Sequence, residues 1–353
     1  MIFKFPKLKR GFLFAAPYLA GLLSMAFSYA DPGVIGWFMW YGGIALMVVV
    51  TFAKILPKII PQKVREKTID IFIIATGYSS IVAIFLIFFF IFKEGFTAFV
   101  DIPLADLFGG KIWQPNSIVP KYGLLPLING TLLVTGLTAV ISVPIGVGTA
   151  VYISEVAGRR EKEIIKPAIE LLAGIPSVIY GLLGMVILGD LIPAITGTPF
   201  RLNALNGAIV LSVMLMPTIA SIAEDAIHNV PRTYRTAAAA MGATRFERIT
   251  RVILPAAASG IAAAVLLSVA RTLGETMAVL LATGNAAQLT ANPLASVRTM
   301  TANIAIEMGE VPFGSTHYHA LFAIGVVLFT ITFLVNFAAD TVLTRFAKKV
   351  GKE

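Results

Sequence analysis

Residues 230–247 read Val-Pro-Arg-Thr-Tyr-Arg-Thr-Ala-Ala-Ala-Ala-Met-Gly-Ala-Thr-Arg-Phe-Glu, a charged segment in an otherwise apolar chain. It is too polar to lie in lipid. After Pro255 the chain becomes apolar, and that apolar segment carries Arg271 and Glu275. A charged segment followed directly by a membrane helix with buried charges indicates that an event outside the membrane moves something inside it.

The polar segment, residues 226–251, is called the elbow. Pro231 suits the first position of a helix, residues 233–241 form an alanine-rich helical run, and Gly242 is placed to end it in a left-handed conformation. Thr244 and Glu247 form a Thr-x-x-Glu capping box that starts a second helix. A basic cytoplasmic loop that only sets topology has no need of two capped helices, so we expect the first helix to enter a partner's groove.

The pairs Ala237-Ala238, Gly242-Ala243 and Leu254-Pro255 resemble the cytoplasmic loop of ABC-importer permeases, in which a coupling helix docks on the ATPase. Thr236 stands where that family carries a glutamate, and it lacks the charge. The resemblance implies that the following residues form the coupling contact: Pro231, Arg235, Thr236, Ala237, Ala238, Gly242, Ala243 and Phe246.

The composition is that of an all-α integral membrane protein. Of 353 residues, 57% are hydrophobic and 13% are charged. A spanning helix needs about 20 apolar residues. Eight stretches approximately qualify: 12–29, 35–56, 69–92, 124–153, 165–188, 205–222, 252–282 and 320–339. We therefore expect a two-helix hairpin with a basic linker, residues 1–67, followed by a six-helix core, residues 68–353. The alternative is that the first apolar stretch alone is a signal peptide cleaved after Ser28-Tyr29-Ala30, but Pro17, the aromatic residues and the second span that follows at once favour a retained hairpin.

Most of the 28 Lys and Arg residues fall in segments on one side of the predicted membrane. The positive-inside rule then puts both ends of the chain in the cytoplasm of a multi-pass cell-membrane protein. The net charge of +9 reflects this asymmetry, so the basic character does not indicate a nucleic-acid partner.

Small residues and prolines occur within the predicted spans. Gly174, Ser177, Gly181 and Gly184 fall on one helical face of the fifth predicted span, and Pro176 favours a kink in that helix. Helix bends or close packing are expected at Pro176, Gly174, Gly181, Pro217 and Pro255.

Arg271 and Glu275 are four residues apart, which places them on one helical face with Ser268 and Thr272 close by. A charge in the bilayer costs at least about 2.5 to 3.5 kcal/mol, so each should have a partner. One interpretation is structural: the two charges neutralise each other and fix the helix. The other is functional: they line a permeation route, with the planar donors of Arg271 offered to an oxyanion.

Three segments resemble PstC-type permeases of phosphate ABC importers: residues 173–181, residues 271–279 and the pair Gly284-Asn285. This resemblance favours the functional interpretation and implies a type I permease core. It implies three partners besides the lipid bilayer: a dimer of ATP-binding subunits, a second permease (a PstA-type sister or another copy of this chain), and an extracytoplasmic phosphate-binding protein.

No cofactor is expected on this chain, because the run Gly109-Gly110-Lys111 lacks the first glycine and the Ser or Thr of a P-loop. ATP and Mg would belong to the partner ATPase. His317 and His319 lack a supporting carboxylate motif, so no metal site is expected.

Two clusters of charged residues lie near the predicted spans. Glu155 lies in a mixed cluster typical of a solvated face, and Glu224 and Asp225 are expected to pair with arginines of the elbow. Three other functions remain open: an importer of another anion or solute, an ion-gradient-driven secondary transporter, and an intramembrane enzyme.

Overall fold

The computed structural model describes residues 62–350, and this part of the chain is mostly helical. In chain order its elements are α1 (Gln62–Asp101), α2 (Leu104–Gly109), β1 (Trp113–Gln114), β2 (Lys121–Tyr122), α3 (Leu125–Val151, continued by a π-turn at Tyr152–Val156), α4 (Arg159–Ala173), α5 (Ser177–Leu183, continued by a π-turn at Gly184–Leu188), α6 (Gly189–Thr196), α7 (Ala204–His228), α8 (Arg232–Ala240), α9 (Arg245–Arg248, continued by a π-turn at Ile249–Ile253), α10 (Leu254–Leu273), α11 (Met277–Ala282), α12 (Met300–Glu307) and α13 (Thr316–Val350).

Six segments of the described chain are long and apolar enough to cross a membrane, which confirms the predicted six-helix core. They are Ile69–Asp101, Leu125–Val156, Ser177–Thr196, Ala204–His228, Arg245–Leu273 and Thr316–Ala338. The two further predicted spans, 12–29 and 35–56, lie outside the described residues. The membrane orientation and the domain boundary at residue 67 stay predictions.

Helices α3 and α7 pack against each other at the centre of the core. Gly146 of α3 leaves room for Ile219 of α7, since a Cβ atom there would lie 2.7 Å from the Ile219 Cγ2 atom. The hydroxyl of Ser212 donates to the carbonyls of Ala208 (2.6 Å) and Thr138 (3.3 Å). Small and hydroxyl side chains thus allow these two membrane helices to approach closely.

The fifth span differs from its prediction. Instead of one kinked helix over 165–188, the chain forms α4 and α5, with Pro176 at the N-cap of α5. A proline offers no backbone N–H and disfavours helical geometry in the residue before it, so the helix breaks here and does not merely bend. The span then runs from Ser177 to Thr196. Gly174 ends α4 and contacts no other element closely, so its predicted packing role on the α5 face was wrong.

Gly181 faces α11 across a tight contact. A Cβ atom on Gly181 would lie 3.0 Å from the Ala278 Cα atom. Pro217 is buried inside α7, and Pro255 is near the first residue of α10. Bends at those two prolines stay predictions.

A network around Glu307 holds together the end opposite the elbow. The Glu307 carboxylate accepts hydrogen bonds from the Trp113 indole at 3.1 Å and pairs with Arg298 and His317 at 2.9 Å each. Glu94 lies 3.3 Å from the His319 ring. The expectation that these histidines lack carboxylate partners was therefore wrong, although no metal-binding group of three ligands occurs among the described residues.

The two short strands place Trp113 in this network. They are antiparallel, with Trp113 opposite Tyr122 and Gln114 opposite Lys121. Trp113 and Tyr122 also contact each other edge to face, with ring centroids 6.0 Å apart. Burial raises the pKa of the Tyr122 phenol above its usual value, so this ring stays neutral at physiological pH.

We predict that Gly130→Ala destabilises the protein and that Gly136→Ala in the same helix does not. A Cβ atom at Gly130 would collide with the carbonyl oxygen of Arg298, whereas one at Gly136 would meet no atom within 4 Å. Overpacking of this kind costs about 1–3 kcal/mol. Thermal denaturation midpoints of the detergent-purified variants test this, and equal losses for both would contradict it.

Candidate functional site

The elbow has the local structure that its sequence predicts. Helix α8 is followed by Gly242 at φ 79°, and Thr244 caps α9. The Thr244 hydroxyl accepts from the Glu247 amide at 3.3 Å, and the Glu247 carboxylate accepts from the Thr244 amide at 3.0 Å. Pro231 lies one position earlier than expected, at the N-cap of α8. The capping box and the left-handed glycine are confirmed.

Arg235 fixes the elbow to the π-turn that continues α3. Its Nη2 atom lies 2.9 Å from Oε1 of Glu155, and the same guanidinium donates to the carbonyls of Ile227 (2.8 Å) and Val230 (2.6 Å). The exposed fractions of the Arg235 and Glu155 side chains are 22% and 7%. Glu155 is thus buried and paired, and its assignment to a solvated face was wrong. The two residues are 80 apart in sequence, so no local pattern could reveal the pair.

Two further contacts reinforce this joint. Arg245 donates to the carbonyl of Glu155 and, at 3.3 Å, to that of Val156. Beneath them Ile249 and Ile253 are buried in one apolar cluster with Ala150 and other core residues. The elbow therefore packs as a continuation of the bundle.

The opposite side of the elbow is open and apolar. Tyr234, Met241 and Phe246 are 54%, 87% and 74% exposed. Ala237 is exposed between them, whereas Ala238 is buried. The Thr236 hydroxyl is exposed and bonds back to the carbonyls of its own helix, at 3.1 and 3.2 Å. An exposed apolar face on a fixed, short helix is suited to docking in a groove.

Glu224 finds its partner outside the elbow. Its carboxylate is buried and lies 2.6 Å from Nζ of Lys166 in α4. The expected pairing with elbow arginines was wrong, because the break at Pro176 lets α4 lie against α7 as a separate helix. Asp225 is exposed, and the described residues contain no ion pair for it.

Arg271 and Glu275 do not share a helical face. Helix α10 ends at Leu273, and Glu275 lies in the link that follows. Oε1 of Glu275 accepts instead from the Ala278 amide, 3.4 Å away at the start of α11. Arg271 is exposed, and among the side chains that the structure describes no carboxylate forms an ion pair with it. The predicted pairing was wrong, because Gly274 interrupts the helix between the two charges. The structural interpretation, in which the charges neutralise each other, falls with it.

Ser268 and Thr272 lie away from the open surface at Arg271. They are 2% and 5% exposed, and each hydroxyl donates to a carbonyl four residues earlier in α10, at 2.8 Å. The four residues predicted to form one site are therefore not brought together. Arg271 alone among them presents its side chain on an open surface.

A tight turn that sequence reasoning did not interpret supports the Glu275 segment. Gly284 and Asn285 both have positive φ, 83° and 56°. The chain then turns back, and the Val297 amide donates to the Thr283 carbonyl at 3.1 Å. The Thr301 hydroxyl then donates to the carbonyl of Glu275 at 2.6 Å. The Gly-Asn pair was a usable signal, since these two residue types favour left-handed turns.

The chain is similar to known membrane transport proteins. Residues 142–352 match the family described as binding-protein-dependent transport system inner membrane component. The probable ABC transporter permease protein YqgH of Bacillus subtilis is 40% identical over 222 residues, which cover 63% of this chain and 72% of that one. The phosphate transport system permease protein PstC of Mesorhizobium japonicum is 34% identical over 258 residues, covering 68% and 78%.

Among solved structures, a bacterial alginate ABC transporter, determined in complex with its alginate pentasaccharide-bound periplasmic protein, has a similar fold. Its matching chain superposes with a TM-score of 0.57 at 17% identity, covering 80% of this chain and 98% of that chain. A second structure of a bacterial ABC transporter for alginate import gives a TM-score of 0.55 at 16% identity, with 80% and 99% covered. At this identity the likeness shows the fold alone.

We predict that Glu155→Gln loosens the elbow. Loss of a charged hydrogen-bond acceptor costs about 1.5–3 kcal/mol, which makes local opening roughly 10 to 100 times more frequent. Hydrogen–deuterium exchange of residues 232–248 should accelerate accordingly. Glu163→Gln is the matched control, since its pair with Arg159 is 65% and 85% exposed and contributes little. Unchanged exchange in Glu155→Gln would contradict the clamp.

Proposed function

Because this chain belongs to the binding-protein-dependent transport system inner membrane component family, we propose that it is the permease subunit of an ATP-driven phosphate importer. It would move inorganic phosphate across the cell membrane by alternating access. Six apolar helices in its described part and its family place the chain in that membrane as a multi-pass protein. It acts as a transport subunit, and ATP hydrolysis would occur on a partner.

The observation that supports coupling to an ATPase is the elbow. Its helix α8 has an exposed apolar face and is held to the helix bundle by an ion pair. In this proposal a dimer of ATP-binding subunits, which hold ATP and Mg, docks on the face formed by Tyr234, Ala237 and Met241. Closure of the dimer pushes α8, and the Arg235 to Glu155 pair passes the displacement to α3 and α7. The membrane helices then switch between two packings, as rigid elements do.

The phosphate cargo rests on the relatives named phosphate transport permeases and on the text of residues 271–279. Arg271 would be the group that meets phosphate. A charge in a bilayer must face protein or water, and Arg271 is open on this chain. We therefore place Arg271 on a pathway completed by a second permease, either a PstA-type sister or another copy of this chain. Glu275 would hold the link between α10 and α11 in place, since its carboxylate accepts a hydrogen bond from the Ala278 amide at the start of α11.

Delivery of phosphate would come from an extracytoplasmic phosphate-binding protein. The surface for it would be formed by residues 93–122 and 285–319, at the end opposite the elbow. The Glu307 network fixes these segments to one another, because Trp113 comes from the first and Arg298 from the second. A rigid outer surface would allow the binding protein to sense which packing the helices adopt.

Uptake by the assembled importer in proteoliposomes tests this function. We expect ATP-dependent phosphate uptake by the wild type, and at least a roughly 10-fold loss in Arg271→Ala, because a charge-assisted hydrogen bond contributes about 1.5–3 kcal/mol. Arg201→Ala is the control, since Arg201 pairs with Asp190 on an exposed surface, and it should transport normally.

Three outcomes would count against the proposal in different ways. If the wild type hydrolyses ATP and imports sulfate or another solute in place of phosphate, the cargo is wrong. If uptake follows an ion gradient without ATP, the mode of energy coupling is wrong. If Arg271→Ala transports as well as Arg201→Ala, Arg271 is not on the pathway.

A further inference from the structure

The open side of α10 has a regular pattern of exposed positions. Ser259, Ala263, Leu267 and Arg271 are all exposed, and they follow one another at intervals of four residues. Four residues make slightly more than one helical turn, so each position lies about 6 Å further along the helix and is rotated by about 40° from the one before. Leu267 is therefore the exposed neighbour of Arg271 on the side toward the elbow.

Leu267 differs in size from the other exposed residues between Arg271 and the elbow. Its side chain is 55% exposed, and it is the one large apolar side chain of α10 that is exposed. The exposed residues of α10 nearer the elbow are small or cyclic: Pro255, Ala258, Ser259 and Ala263. Leu267 therefore projects further from the open side of the helix than any of them.

Arg271 determines what this part of α10 faces. Its side chain is exposed, and among the described side chains no carboxylate forms an ion pair with it. A charged side chain within a membrane span faces protein or water, because facing the acyl chains of lipid costs too much free energy. Leu267 lies one turn away on the same open side. It therefore borders the space that Arg271 faces, and an exposed leucine at this place is not explained by contact with lipid.

A leucine at this position narrows the route with an apolar group. Ser259 and Ala263 leave more room on the elbow side, since their side chains are short. A hydrophobic constriction stops ions by excluding the water that hydrates them, even where the remaining opening is not filled by atoms. In the proposed pathway the facing wall belongs to the second permease. Leu267 and an apolar side chain of that wall would then form such a constriction.

The helix that carries Leu267 is joined directly to the elbow. The chain runs from α9 through the π-turn Ile249–Ile253 into α10 without a loop. Ile249 and Ile253 are buried in the same apolar cluster as Ala257 and Ala264 of α10. These contacts make the π-turn and α10 one packed unit, and packed helices move as rigid elements. A displacement of the elbow therefore moves Leu267 as well.

We propose that Leu267 is the gate on the elbow side of Arg271. Its side chain closes the route between Arg271 and the elbow against the second permease while ATP is bound, and it withdraws after hydrolysis. The proposal rests on the proposed function and deepens it, because it names the residue that keeps phosphate at Arg271 from passing freely to the elbow side.

Passive phosphate efflux through the assembled importer in proteoliposomes tests the gate. With a non-hydrolysable ATP analogue bound, Leu267→Ala should release phosphate at least roughly 10-fold faster than the wild type, because a wider constriction stays wet. Leu334→Ala is the matched control, since Leu334 is 56% exposed in α13 and residues 320–339 carry no charge that would keep this helix from lipid. Its efflux should equal that of the wild type. Equal efflux for Leu267→Ala and the wild type would overturn the proposal.

Thiol labelling tests whether residue 267 meets water and whether the gate moves. The chain contains no cysteine, so Leu267→Cys introduces its only thiol. A charged, membrane-impermeant thiol reagent, added on the side where ATP binds, should modify this variant in the absence of nucleotide. The ATP analogue should slow the reaction at least roughly 10-fold, because the closed constriction excludes water. Leu334→Cys should not react in either condition. A lack of reaction at residue 267 in both conditions, or equal rates in both, would contradict the gate.

ATP-dependent uptake in the same vesicles separates this inference from the proposed function. If the wild type imports phosphate and Leu267→Ala shows no added efflux, the gate is wrong and the function stands. If the wild type imports no phosphate, both fail. Leu267→Met restores an apolar side chain of similar volume and should remove most of the efflux seen in Leu267→Ala. Efflux as fast in Leu267→Met as in Leu267→Ala would show that apolar bulk at this position is not the barrier.

Discussion

The ion pair between Arg235 and Glu155 is the contact on which the rest of the structure depends. It joins α8 to the end of α3, and the same guanidinium donates to the carbonyl of Ile227 in the last turn of α7 and to that of Val230 just after it. A largely buried pair of this kind is strongly destabilising when one member is removed, since the other charge is left unpaired. Two central helices and the elbow are thus fixed at one point.

Close packing lets that point act on the whole bundle. Helices α3 and α7 meet through Gly146 and Ser212, and α5 meets α11 through Gly181, so there is little space in which a displacement could be absorbed. A tightly packed core changes between discrete arrangements and does not deform continuously. Motion at the elbow would therefore reach the segment around Arg271 and Glu275, which follows directly from the far end of α10.

Features set by near neighbours in sequence could be predicted. The Thr244 capping box and the left-handed Gly242 depend on a few adjacent residues, and the six apolar spans depend on composition. The helix breaks at Pro176 and Gly274 could not be predicted from hydropathy, because the sequence stays apolar on both sides of each break. Hydropathy alone therefore predicts one continuous helix at each place. Contacts between distant segments, such as that of Arg235 with Glu155, could not be predicted, because no local sequence pattern links residues 80 positions apart.

The most direct test of the account is the number of phosphate ions imported per ATP hydrolysed, measured for Glu155→Gln, Arg235→Ala and the double variant. We expect each single variant to lower this ratio while ATP hydrolysis continues, and the double variant to be no worse than the poorer single one, because both changes break the same link. A normal ratio in the single variants, or losses that multiply in the double, would contradict it.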